Sequence, residues 1–162
     1  MLASQDLLAH ERDLYRLALS LCGGNAQDAM DLTQDTFVKA LRKLDLFAPG
    51  TNLRAWLGQI MRNAFIDERR KRRRDPVPAE LLDLPPATER SALPGEDLPG
   101  ALRRALNELD PETRALLLLS DVEGYRYREI AEVLDIPMGT VMSRLHRARR
   151  KLRARLAHSK SV

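Results

Sequence analysis

Cysteine and aromatic residues are scarce in this chain of 162 residues. The single cysteine, Cys22, excludes an intrachain disulfide and a cysteine-based zinc site, and it is typical of a reducing compartment. Aromatic residues make up only 4% of the chain, so leucine and alanine must build any core. A composition rich in Ala, Leu, Arg and Glu favours helices, and we expect an all-α fold.

Long apolar runs and clustered metal ligands are also missing. No stretch approaches the roughly 20 apolar residues that a membrane helix needs, so we expect no membrane insertion. The N-terminal residues lack the order of basic, apolar and small residues that marks a signal peptide, which predicts a cytoplasmic protein. His10, His146 and His158 are far apart in the sequence. We therefore expect neither a metal nor a cofactor.

The net charge of +4 conceals a strong sorting of charge along the chain. Residues 62–74 contain seven bases and two acids, and residues 144–155 contain seven bases and no acid. Residues 1–35 and 75–100 each contain six acids and at most two bases. Two separate basic clusters predict two contacts with a polyanion, although solvated helix ends without a partner would show the same pattern.

The chain divides at a segment rich in proline. Six of its nine prolines fall between Pro76 and Pro99, where the sequence is acidic and has no aromatic residue. Such a segment does not easily bury apolar surface, which predicts a flexible linker over residues 75–100. We expect a small helical domain on each side, at residues 1–74 and 101–158. Apolar spacing predicts helices over 4–22, 26–44 and about 52–74. In the second part, which starts near residue 101, it predicts helices over 111–122, 127–134 and 137–157.

A helix-turn-helix pattern follows Gly124. A short helix at 127–134, a tight turn at Ile136 and Pro137, and a longer helix form the shape that seats one helix in the major groove of DNA. At 100° per residue, the longer helix turns one apolar face inward, which consists of Val141, Leu145, Ala148 and Leu152. The opposite face presents hydroxyl, imidazole and guanidinium groups, which can bind base edges and phosphates. An ordinary cationic amphipathic helix is the other interpretation.

The first domain offers a basic cluster and an acidic strip. Asn63 and the basic end of the 52–74 helix could bind nucleic acid, and Trp56 is more typical of a core anchor than of a base-stacking residue. Asp28, Asp31 and Asp35 share one face of the 26–44 helix. This acidic strip could bind basic side chains of a partner protein, or could simply be hydrated. A metal site is less favoured, because carboxylates along one exposed helix converge poorly.

Four separated motifs resemble one protein family. They are the segments Asp31-Leu-Thr-Gln-Asp-Thr-Phe37, Asn52-Leu-Arg-Ala-Trp-Leu57, Arg62-Asn-Ala-Phe-Ile-Asp67, and Glu129-Ile-Ala131 with Gly139-Thr-Val-Met-Ser-Arg-Leu-His-Arg-Ala-Arg149. In this order around a linker, they resemble the bacterial sigma factors of the extracytoplasmic-function group. The resemblance covers about residues 5–156 and implies two helical domains, sigma regions 2 and 4.

The resemblance also implies partners and site residues. The implied partners are RNA polymerase core (its β′ coiled coil and β subunit), promoter DNA and an anti-sigma factor. Core-binding residues would be Asp31, Gln34, Asp35 and Phe37. Residues that read the melted −10 element would be Thr51, Asn52, Arg62, Asn63, Arg69 and Arg70. Residues that read the −35 element would be Thr140, Met142, Ser143, Arg144, His146, Arg147 and Arg150.

Two other functions are considered. A helix-turn-helix regulator that acts without polymerase would use the second domain but leave the acidic strip and the first basic cluster without a role. A metal-dependent nuclease would use Asp28, Asp31 and Asp35. The sequence shows no nucleophile motif, metal-ligand cluster or phosphate-binding glycine loop, so we expect no catalytic residues.

Overall fold

The computed structural model describes residues 4–74 and 99–160, and side chains up to residue 158. Every regular element in these ranges is helical. The N-terminal domain contains α1 (Ser4–Leu8), α2 (Glu11–Leu21), α3 (Ala26–Arg42), a 3₁₀ turn (Leu44–Leu46) and α4 (Leu53–Arg74). The C-terminal domain contains α5 (Gly100–Asn107), α6 (Pro111–Asp121), α7 (Tyr127–Leu134) and α8 (Met138–Lys160). Together they confirm the all-α class and the two helical domains.

Side chains cap the helices at the positions that the sequence favours. Asn25 accepts the amide of Asp28 at the start of α3, at 3.0 Å. Asn52, directly before α4, accepts the amide of Ala55 at 3.1 Å. Asp110 accepts the amide of Thr113 at 3.1 Å, and Pro111 is the first residue of α6. Each cap satisfies an amide that has no partner within its own helix.

Two predicted boundaries differ in the structure. The helix predicted over 4–22 is divided into α1 and α2 by a turn at Ala9 and His10, and no glycine or proline marks that turn. The bend leaves Leu7 buried and Leu8 57% exposed. The predicted linker reaches residue 100, but Gly100 already belongs to α5. Residues 75–98 of that predicted linker lie outside the described residues.

One apolar core extends through both domains. In it α2 packs on α6, and α4 packs on α7. At the centre of the second contact, Gly58 of α4 faces Val133 of α7, and both are buried. The two domains are therefore joined face to face by side chains that each domain alone would expose.

Candidate nucleic-acid and partner interfaces

Helices α7 and α8 form the predicted helix-turn-helix. Glu129 closes the N-terminus of α7 by accepting the amide of Arg126 at 3.2 Å. The turn is made by Asp135, which adopts a left-handed conformation with φ of 54°, and by the amide of Ile136, which donates to the carbonyl of Ala131 at 3.0 Å. Since Asp tolerates this conformation better than most residues, the chain turns tightly into α8 without a glycine.

Helix α8 separates an apolar side from a polar side as its sequence predicts. Val141, Leu145 and Ala148 are at most 1% exposed and pack on the rest of the C-terminal domain. The residues predicted to read the −35 element lie on the open side: Met142, Ser143, Arg144, His146, Arg147 and Arg150 are exposed, and Thr140 is half-buried. One continuous face therefore offers guanidinium, imidazole, hydroxyl and thioether groups to a groove.

The basic neighbour Arg149 lies outside this face. Its guanidinium donates to Asp121 on α6 at 2.7 Å. This ion pair connects α8 to the helix beneath it, so the structure gives Arg149 a contact within the domain.

The residues predicted to read the −10 element are divided into two groups by the structure. Thr51, Asn63, Arg69 and Arg70 are exposed along the start and the outer side of α4. The other two, Asn52 (also exposed) and Arg62 (half-buried), contact the C-terminal domain. The amide nitrogen of Asn52 donates to Glu129 at 3.0 Å. The guanidinium of Arg62 donates to Glu112 at 3.0 Å.

The acidic strip lies on the outer side of α3. Asp31, Gln34 and Asp35 are exposed, and Phe37 is half-buried against the core. Asp31 accepts a hydrogen bond from Gln27 at 3.1 Å, and Asp35 pairs with Lys39 at 3.1 Å. Both contacts are local to α3 and exposed, which leaves the carboxylates accessible to a basic partner.

The acidic strip also borders a cavity of about 520 Å³ between the two domains. Asp31 and Asp35 lie on one side of it, and Arg69 and Arg72 of α4 lie on the other. Cys22 lies in the wall of this cavity, and burial, aided by Asp28, raises the pKa of its thiol to about 12. The thiol is therefore protonated at neutral pH and is a poor nucleophile.

Several residues at the domain contact were missed by the sequence reasoning, and four of them are the most informative. Glu112 and Glu129 bind residues of α4 and of the loop before it, Arg114 binds the end of α2, and Gly58 admits Val133. Only two of them leave a local signal. Gly58 interrupts a helix where alanine would be more stable, and Arg114 directly precedes an apolar run. The two glutamates look like ordinary surface residues until the fold brings their partners together.

Glu129 is the most densely hydrogen-bonded of these residues. Arg54 donates to it at 2.6 Å, in addition to the bonds from Asn52 and the amide of Arg126. Burial alone would raise the pKa of Glu129, but these hydrogen bonds outweigh it and lower the pKa overall. Arg54 also lies over the ring of Tyr125, 3.9 Å from its centroid. The carboxylate is thus held ionised at the centre of the domain contact.

Neither a metal cluster nor a membrane helix is found in the described ranges. Within residues 4–74 and 99–160, no three or more His, Cys, Asp or Glu side chains come close enough together to hold a metal ion. Asp28, Asp31 and Asp35 therefore do not form such a site. In the same ranges, no helix has the length and apolar character needed to cross a bilayer.

Comparison with known families divides the chain at the same place. Residues 7–75 match the family Sigma-70 region 2, and residues 100–152 match Sigma-70, region 4. The first match contains the acidic strip and all of α4, and the second contains α7 and most of α8. Both surfaces described above thus lie within segments of one family.

Relatives align with nearly the whole chain. It is 41% identical to ECF RNA polymerase sigma factor SigE of Mycolicibacterium smegmatis over 94% of its own length, and it spans 60% of that relative. It is 40% identical to ECF RNA polymerase sigma factor EcfG of Rhodopseudomonas palustris, over 93% of this chain and 83% of that protein.

Solved structures share the fold. The sigma factor RpoE in complex with the anti-sigma factor NepR, from Bartonella quintana, overlays with a TM-score of 0.71 at 34% identity, covering 94% of this chain and 95% of that one. CnrH in complex with the cytosolic domain of CnrY overlays with a TM-score of 0.66 at 31% identity, covering 95% and 86%. With two matched regions in order and relatives that align with both, the chain belongs to the extracytoplasmic-function (ECF) sigma factors.

Proposed function

We propose that this chain binds RNA polymerase core, directs it to promoters by reading −10 and −35 elements, and promotes the start of transcription. Its role is regulatory rather than catalytic, and it acts in the cytoplasm with the polymerase. The observation that carries the proposal is the exposed polar face of α8, supported on a buried apolar face, in a chain that also presents an acidic strip and a basic helix end.

In this proposal α8 reads the −35 element in the major groove. Arg147 can donate two hydrogen bonds to the O6 and N7 atoms of a guanine, and Ser143 can bind a base edge or a phosphate. The exposed Met142 can contact a thymine methyl group. Arg150 follows on the same face, where phosphate contacts add salt-dependent affinity without sequence preference.

The N-terminal domain binds the melted −10 element in the same proposal. Asn63 can hydrogen-bond an unstacked base, while Arg69 and Arg70 contact the backbone of the displaced strand. Opening the duplex costs base stacking, and binding extruded bases offsets a few kcal/mol of that cost. Asn52 and Arg62 join this surface once they are free of Glu129 and Glu112.

The acidic strip is the proposed docking surface for polymerase core. Asp31 and Asp35 would bind basic side chains of the β′ coiled coil, with Gln34 between them and Phe37 at the edge. The β subunit is the second proposed contact in the core enzyme. An anti-sigma factor is a further proposed partner, since the similar sigma factor RpoE of Bartonella quintana was solved in complex with the anti-sigma factor NepR.

Run-off transcription with polymerase core and a random promoter library tests the reading of DNA. We expect transcripts from promoters that share two sequence elements, and we expect Ser143→Ala/Arg147→Ala to lose preference at the −35 element. Arg155→Ala is the control, because it removes a charge from α8 beyond the reading face, where Arg155 pairs with Glu108. Unchanged promoter choice in the double variant would contradict the assignment of this face.

Gel filtration with polymerase core tests the acidic strip and separates the proposal from a regulator that acts without polymerase. We expect a stable complex with the wild-type chain and its loss in Asp31→Lys/Asp35→Lys. Glu11→Lys/Asp45→Lys changes the charge equally at exposed positions away from the strip and should still bind. Absence of any complex with the wild-type chain would favour the polymerase-independent regulator.

A further inference from the structure

Two arginines at the start of α7 belong to none of the surfaces described above. Arg126 directly precedes this helix, and Arg128 is its second residue. Both are exposed, and neither forms an ion pair with another residue in the ranges 4–74 and 99–160. Arg149 and Arg155 of the same domain, in contrast, each pair with a carboxylate at 2.7 Å. The charges of Arg126 and Arg128 are thus open to an external anion.

Hydrogen bonds hold the start of α7 beside the reading face, which is the exposed side of α8 from Thr140 to Arg150. Tyr127, between the two arginines in the sequence, accepts a side-chain hydrogen bond from Arg149 of α8. Arg149 also donates to Asp121, the last residue of α6, at 2.7 Å. The first turn of α7 therefore lies next to the end of the reading face at which Arg150 stands.

The direction of Arg128 follows from its neighbours on α7. Tyr127 faces α8, and Glu129 faces Asn52 of the N-terminal domain, whose amide donates to it at 3.0 Å. Successive residues of a helix differ by about 100°, so Arg128 projects between these two directions and away from the buried Ile130. Its guanidinium therefore extends into solvent at the side of α8.

The geometry of a helix-turn-helix on DNA brings this position close to a phosphate strand. When the second helix enters the major groove, the first helix crosses the DNA backbone. Packed helices lie about 8–10 Å apart, and the major groove is about 12 Å wide. With α8 in the groove, the start of α7 thus lies over one of the strands that border it. Arginine binds phosphate there in a planar, bidentate geometry.

We propose that Arg126 and Arg128 bind phosphates of the duplex strand that borders the −35 groove, and that they fix the position of α8 without reading its sequence. This inference rests on the proposed function, which assigns the −35 element to α8. Ser143 and Arg147 contact the bases, whereas the two arginines of α7 add affinity for any sequence.

Two carboxylates border the same cavity of about 400 Å³ as Arg126 and Arg128. Glu129 accepts hydrogen bonds from Arg54 and Asn52, whereas Glu132 is exposed one turn after Arg128. A phosphate at Arg128 is repelled by the charge of Glu132. Glu132→Gln should therefore tighten DNA binding, which is the opposite of the effect of removing Arg128.

Salt dependence distinguishes a phosphate contact from a base contact. The probe is a fluorescent duplex that carries a promoter selected in the run-off library, bound by the holoenzyme and followed by anisotropy at increasing KCl concentration. Each phosphate contact contributes about 0.9 to the slope of log affinity against log salt. In Arg126→Gln/Arg128→Gln this slope should fall by about 2, and binding at roughly 0.1 M salt should weaken by about tenfold or more. The difference from wild type should vanish toward about 1 M salt.

Promoter choice gives the second readout. Arg126→Gln/Arg128→Gln should select the same −35 sequence as wild type, whereas Ser143→Ala/Arg147→Ala should lose that preference. Arg126→Lys/Arg128→Lys retains both charges and should retain the salt slope, which depends on charge. Arg12→Gln/Arg42→Gln removes the same charge at exposed positions of the N-terminal domain and should leave the slope unchanged.

Three results would overturn the proposal: a slope within about 0.5 of wild type in Arg126→Gln/Arg128→Gln, an altered −35 preference in that variant, or weaker binding by Glu132→Gln. A wild-type holoenzyme that selects no promoter would refute the proposed function and this inference with it. A wild-type holoenzyme that selects both elements, together with an unchanged slope in the variant, would refute the phosphate contacts alone.

Discussion

Arg114 carries its charge into the core, with 4% of its surface exposed. Its acceptors in the described part of the chain are backbone carbonyls, at Ser20, Leu21 and Leu109. Burial is the main cause that lowers the pKa of Arg114, but a guanidinium stays protonated in proteins. The charge is tolerated because the carbonyl end of a helix carries partial negative charge.

We expect Arg114→Ala to lower the free energy of unfolding by about 2–4 kcal/mol, because it leaves two buried carbonyls without a hydrogen-bond donor and creates a cavity. Denaturant titration followed by circular dichroism measures this change. Arg104→Ala removes the same group from an exposed site on α5 and should change the value by less than about 0.5 kcal/mol. Equal effects of the two substitutions would show that Arg114 has no special role.

Cys22 should react slowly with thiol reagents in the folded chain. Its pKa is raised to about 12 by burial and by Asp28, so that very little thiolate exists at pH 8. The rate with Ellman's reagent, compared with that of the same chain in denaturant, measures the protection. A folded-state rate equal to the denatured rate would contradict the burial seen here.

At the scale of elements, the spacing of the apolar residues in α8 largely determines which side of this helix is buried. The periodicity places Val141, Leu145, Ala148 and Leu152 on one side, and the structure buries the first three and leaves Leu152 half-buried against the core. The predicted bounds of α7 also agree with those observed. The division between α1 and α2 was not predicted, because apolar spacing continues through Ala9 and His10 and gives no local sign of the turn.

Substitutions on the two sides of α8 should separate stability from DNA binding. Leu145→Ala should cost about 2–5 kcal/mol of unfolding free energy, because it opens a cavity under the helix. Met142→Ala, at a residue 53% exposed, should leave stability nearly unchanged and alter the preferred −35 sequence. Thermal unfolding and promoter-library transcription measure the two effects. A Met142→Ala chain that unfolds as early as Leu145→Ala would contradict this division.

At the scale of the whole molecule, the contact between the two domains includes three ion pairs with carboxylates. Hydrogen bonds from Arg54, the amide of Arg126 and Asn52 hold the pKa of Glu129 below its ordinary value of 4.5 despite burial. A carboxylate with a depressed pKa stabilises the domain contact above pH 4.5, and this contribution is lost as the pH falls below that value. The contribution of Glu129 to the domain contact is therefore present at neutral pH and is lost in acid.

We expect the radius of gyration of the free chain to be constant from pH 7 to 5 and to rise below 4.5, before helicity is lost. Scattering and circular dichroism on the same samples distinguish opening from unfolding. In Glu129→Gln the chain should be more open at pH 7 and should change less between pH 5 and 4. A wild-type chain that opens as the pH rises would contradict the sign of this linkage.

The sequence by itself determined most of the helices, the two faces of α8 and the family. These features depend on residues close together in the chain, where spacing and hydrogen-bonding capacity are sufficient. Only the tertiary structure decided that Glu129 binds Arg54, and that Glu112 binds Arg62. Their partners lie 75 and 50 residues away, and no local pattern determines which distant surfaces meet. Only the tertiary structure likewise explains the glycine at position 58 inside α4. Val133, which leaves no room for a Cβ atom there, belongs to the other domain.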